Sequence, residues 1–204
     1  MPTRPVTILW LDDDLRPRNE GRTEERSRLQ PWLAYLKSPE VSARVLLVEC
    51  QTLKEFRNEL TSRLDLKPQD EGYIDVFLID IFWRTNSRAA QAGFGDLDAA
   101  FTDEKVLHLE AGAQLIGFML NESWRKRRPA WLDTFRTRPI WVLTTIRDNG
   151  STLGRWIEQA PLSKVGLLLK DPVEGQGKLV ANEEFVRWVA SLTPTDDSTV
   201  NPQS

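Results

Sequence analysis

One cysteine and one histidine stand among the 204 residues. Cys50 has no second cysteine for an internal disulfide, which fits a reducing compartment and leaves it a packed strand-end residue. His108, the sole histidine, leaves neither histidine-based catalysis nor a histidine metal centre. No apolar run approaches the about 20 residues of a membrane span. Met1-Pro2-Thr3-Arg4-Pro5 lacks the apolar core of a signal peptide. The expectation is a cytoplasmic protein with no membrane partner. Charge of one sign is also missing: 27 basic residues face 30 acidic ones, a net charge of −3. Nothing global points to nucleic acid or a membrane surface. The chain is long enough for one domain with a sizeable core, and no internal repeat or second domain is visible.

The stretch around which the chain is organised is Val76-Phe77-Leu78-Ile79-Asp80-Ile81-Phe82-Trp83. It is a short apolar run interrupted by a single carboxylate, and a strand buried on both faces reads this way. A buried Asp is costly unless something pairs with it. The pattern recurs elsewhere. Val6–Leu11 runs into Asp12-Asp13-Asp14, Ile140–Leu143 into Thr144-Thr145, and Val165–Leu169 into Lys170. In an open parallel sheet such strand ends converge on one edge, where ligands bind. Acid cluster, acid, hydroxyl and ammonium together can hold a divalent cation and a phosphoryl group.

Helical patterns fill the gaps. Leu29, Trp32, Leu33 and Leu36 share one face, and Pro31 suggests that this helix starts there. Val45–Val48 is a second strand. Thr52 to Glu55 has capping-box spacing and opens a helix carrying Phe56, Leu60 and Leu64. A helix is predicted from about Val106 to Trp124, one from Ser151 carrying Leu153, Trp156 and Ile157, and a last one capped by Asn182. Glu174-Gly175-Gln176-Gly177 reads as a loop. Residues 84–105 are long for a βα connection, which usually has about 2–6 residues, and suggest a lid, a binding loop or disorder. Residues 193–204 read as a disordered tail beyond a single domain spanning 1–192. Strands alternating with helices imply a doubly wound α/β fold: a five-stranded parallel sheet, flavodoxin-like in order 2-1-3-4-5, with helices on both faces and right-handed crossovers.

With Leu11-Asp12-Asp13, Asp80, Leu143-Thr144-Thr145 and Lys170 in that order on an alternating α/β pattern, the chain resembles the receiver (CheY-like) domain of two-component response regulators from Val6 to Leu192. The resemblance implies that Asp80 is the phospho-acceptor. It implies that Asp12 and Asp13 position Mg²⁺, with Asp80 and the main-chain carbonyl of Phe82 as further ligands. Thr144 would bond the phosphoryl group and Lys170 would pair with it. The implied donor is a histidine kinase or phosphotransfer protein. Output would pass by contact with a downstream protein or in a homodimer, since no DNA-binding domain is present. The chain departs from the family pattern at Asp171, which separates Lys170 from Pro172. It departs also at Thr145, where the family prefers alanine or glycine, and at Leu167, where it usually carries an aromatic switch residue.

Two other readings stand beside this one. A receiver-like fold that takes no phosphate would be a constitutive interaction module. Asp12-Asp13-Asp14 also contains Asp-x-Asp after a strand and resembles haloacid-dehalogenase phosphatases, with Asp12 as nucleophile and Asp14 as general acid; that reading leaves Asp80 without a task. The basic run Arg125–Arg128 between Trp124 and Trp131 has the interleaving of a nucleic-acid site, but a solvated helix end favoured by the helix dipole is the plainer reading.

Overall fold

Strand β1 (Val6–Leu11) shows why the chain folds as it does. Its side chains alternate between two separate apolar cores, Ile8 and Trp10 entering one and Leu9 and Leu11 the other. A strand buried on both faces must be covered on both. The computed structural model describes residues 4–15, 23–81, 111–120, 126, 128–144, 165–175 and 177–195. Within them β1, β2 (Val45–Cys50), β3 (Ile74–Ile79), β4 (Ile140–Thr144) and β5 (Val165–Leu169) form one parallel sheet in the order β2-β1-β3-β4-β5. This is the flavodoxin-like order expected from the alternating pattern.

One face of the sheet is covered by α1 (Thr23–Leu36) and by the helix Glu183–Ser191; the other by the helices Leu53–Ser62 and Ala111–Leu120. With the short α2 (Pro39–Ser42) between α1 and β2, these are α3 (Leu53–Ser62), α4 (Ala111–Leu120) and α5 (Glu183–Ser191) in chain order. Thr52 caps α3: its Oγ1 accepts from Glu55 N at 3.1 Å, while the Glu55 carboxylate reaches one residue past the cap and accepts from Gln51 N at 2.8 Å. Cys50 is fully buried at the end of β2.

Three elements differ from the expectations drawn from the sequence. The first helix starts at Thr23, so Pro31 lies inside it and not in its first turn. A proline there removes one helical hydrogen bond, and the buried stripe of Leu29, Trp32, Leu33 and Leu36 outweighs that loss. Of the expected loop Glu174–Gly177, residues 174, 175 and 177 belong to a hairpin of β6 (Val173–Gly175) and β7 (Lys178–Val180), with Gly177 at φ 75°, and Gln176 lies outside the described residues. Of the basic run, Lys126 is exposed but Arg128 is not: it is buried and donates to the carbonyls of Phe118 and Met119, each at 3.2 Å, while Arg136 donates to Leu120 O at 3.2 Å. These arginines close the C-terminus of α4, whose ten residues are all buried. Among the described residues no helix is long and apolar enough to cross a membrane.

At the opposite edge from the strand C-termini, the register of β1 and β3 skips one residue between Ile74 and Val76. Asp75, the extra residue, turns a buried carboxylate toward four N–H groups: two of Arg4 at 2.6 and 2.7 Å, Thr7 N at 2.8 Å and Thr195 N at 2.7 Å. The first residues of the expected tail are therefore tied to the sheet, while 196–204 lie outside the described residues.

Candidate functional site

The sheet register builds the site. Leu11 is aligned with Cys50 on one side and Ile79 on the other. The next residues, Asp12 and Asp80, therefore leave neighbouring strands side by side. Their backbones stay laddered: Asp12 N donates to Cys50 O at 3.0 Å and Asp80 N to Leu11 O at 2.9 Å. Thr144 is aligned with Leu169 at the ends of β4 and β5, and Lys170 N donates to Thr144 O at 2.7 Å. Four strand ends thus converge, as the sequence pattern implied.

The side chains meet. Lys170 Nζ lies 2.6 Å from Asp12 Oδ2 and 3.2 Å from Asp80 Oδ1, so one ammonium bridges the ends of β1 and β3. Asp13 joins them: carboxylate oxygens of Asp12, Asp13 and Asp80 lie within 4.8 Å of one another, and all three residues are buried. Asp14 is not in that group; its main-chain N–H donates to Asp12 Oδ1 at 3.0 Å, which shapes the turn. From β2, Gln51 Nε2 donates to Asp13 O at 2.8 Å and holds the acidic turn from the side. Neither Gln51 nor this bond was legible in the sequence.

Burial is the main electrostatic force here. It raises the Asp80 carboxyl well above its ordinary pKa; Lys170 opposes the shift, and the charges of Asp12 and Asp13 add to it. Burial also pushes on the Lys170 ammonium in the direction of losing its proton, but Asp12 and then Asp80 outweigh that and raise its pKa. Lys170 stays charged. Among the described residues, three carboxylates gather around the one ammonium of Lys170 at this edge. A buried acidic triad of this kind can hold a metal ion. Its donors are all oxygens, the set that hard divalent cations take.

Thr144 is fully buried at the end of β4, on the same edge. Leu167, where the resemblance leads one to expect an aromatic residue, is 37% exposed on the edge strand β5. Phe82, Thr145, the segment 84–105 and the helix from Ser151 lie outside the described residues. Comparison with known proteins adds nothing to this geometry: no family model, no curated protein and no solved structure matches the chain.

Proposed function

We propose that this chain is a receiver-like phospho-acceptor. It takes a phosphoryl group on Asp80 from a histidine kinase or phosphotransfer protein in the cytoplasm, with Mg²⁺ as cofactor, and signals by protein contact. The observation that carries this reading is the Lys170 bridge between Asp12 and Asp80 beside Asp13 at the C-terminal edge of the sheet. A carboxylate accepts phosphoryl groups only where positive charge offsets that of the incoming group.

Mg²⁺ would be held by Asp12, Asp13 and Asp80, and when bound it supplies positive charge to the phosphoryl oxygens. The chain's own residues do the rest. An Asp80 carboxylate oxygen attacks phosphorus. The new O–P bond forms as the donor's bond to phosphorus breaks, and its electron pair leaves with the departing group. Lys170 remains within reach of Asp80 and offsets the charge brought in by the phosphoryl group. Thr144, at the end of β4, is the hydroxyl proposed to donate to a phosphoryl oxygen.

The phosphatase reading loses support at Asp12. That residue is 0% exposed, Lys170 holds one carboxylate oxygen and Asp14 N the other. That reading also leaves Asp80, which shares Lys170 with Asp12, without a task.

The test is direct. With a small phosphodonor such as acetyl phosphate and Mg²⁺, the wild type should gain one hydroxylamine-sensitive phosphoryl group by intact mass and Phos-tag mobility, and Asp80→Asn should gain none. Equal labelling of both proteins would remove Asp80 from the role. A wild type that takes no label from small donors or from any phosphohistidine donor would favour the constitutive interaction module.

A further inference from the structure

Asn182 makes more hydrogen bonds than a helix cap requires. Its side-chain oxygen accepts from Phe185 N at 2.9 Å, which is the capping bond of α5. Its amide nitrogen donates to Leu169 O at 2.9 Å and to Asp171 O at 3.0 Å. Those two carbonyls flank Lys170. An amide has two N–H donors, and both are spent on the main chain either side of one lysine.

The clamp grips the chain where it leaves the sheet. The hairpin β6–β7 stands between Lys170 and α5, and Asp171 precedes Pro172. The Lys170 side chain must nevertheless keep its ammonium 2.6 Å from Asp12 and 3.2 Å from Asp80. On one side its backbone is laddered to β4 through Thr144 O. On the other side Asn182 ties down the base of the hairpin. Resting on the proposed role of Lys170, we propose that Asn182 is a positioning residue: it fixes the Lys170 main chain so that the ammonium stays between the two carboxylates.

Capping and clamping are separable. Asn182→Asp and Asn182→Ser each keep an oxygen that caps α5, and neither has the pair of N–H donors that reaches Leu169 O and Asp171 O. The readout needs neither metal nor phosphodonor. The full chain is treated with an amine-reactive reagent, and modification of Lys170 is followed by peptide mass spectrometry against exposed Lys37 as the internal reference. In both variants Lys170 should react about tenfold faster than in the wild type, with Lys37 unchanged, as loss of hydrogen bonds of this kind implies. Labelling of Asp80 should slow by a similar factor. The proposal is overturned if Lys170 stays as protected as in the wild type in both variants, or if Lys37 and Lys170 gain reactivity together, which is general loosening. A wild type that takes no phosphoryl group defeats the reading of Asp80, and the lysine reactivities still decide the clamp.

Discussion

Asp80 is the residue at which burial and chemistry conflict. Its carboxyl is pushed upward by burial, and the Lys170 ammonium only partly offsets that. A carboxyl with a raised folded-state pKa binds protons more tightly folded than unfolded. Stability from this group is therefore greatest at low pH and declines as pH rises from about 4, the unfolded value, through the folded value. The penalty is fully present above that range. In metal-free protein, Asp80→Asn should therefore raise the unfolding midpoint at neutral pH and flatten its dependence on pH above about 4. Lys170 keeps Asp12 as a partner in that variant. Thermal melts of both proteins across that range check it, and a variant less stable than the wild type at neutral pH would show that the Lys170 contact outweighs burial. The same residue was legible in the sequence because a lone acid interrupting a wholly apolar run is a costly placement. Gln51 and the clamp made by Asn182 were not, since a polar residue at a strand end or a cap looks the same whether or not it reaches across to another strand end.

Among the elements, α4 depends most on a distant part of the chain. A helix buried on every side cannot satisfy its last carbonyls with water. Arg128 and Arg136 do so, and Asp133 holds Arg128 at 2.7 Å. Arg128→Leu should cost about 3 kcal/mol of stability, because it removes a buried guanidinium that bonds two helix carbonyls and Asp133. Urea denaturation measures this; a loss below about 0.5 kcal/mol, the range of ordinary surface substitutions, would mean that other donors take over. The sequence places a helix from about Val106 to Trp124 but reads the basic run Arg125–Arg128 after it as a solvated end. A run of basic residues after a helix carries no sign of whether the chain turns back over the helix end. The hairpin β6–β7 was missed for a related reason. Its strands have three residues each, too few to show a period, and Gly175 and Gly177 around Gln176 were the only local sign of a turn.

On the scale of the whole molecule, the sheet order was readable because the strands are short apolar runs, the central ones buried on both faces, and the strand-end residues Asp12, Asp13, Asp80, Thr144 and Lys170 come with it. The Asp75 bulge was not readable, because its partners come from Arg4, Thr7 and Thr195, far apart in sequence. What joins strand order to the proposed function is the group of carboxylates that the fold gathers at one edge. A fold that gathers three carboxylates in a buried site should gain stability from a divalent cation that binds the folded state alone. At about ten times its dissociation constant such a cation adds about 1.4 kcal/mol. For a chain of this size that corresponds to about 3–6 °C in the unfolding midpoint. The midpoint of the wild type should therefore rise with Mg²⁺ and level off in slope as a logarithm of concentration, whereas Asp13→Ala should respond only at much higher concentrations. A matched titration with a monovalent salt at equal ionic strength removes general screening. If Asp13→Ala rises in parallel with the wild type, the cation binds elsewhere and the acidic edge is not its site.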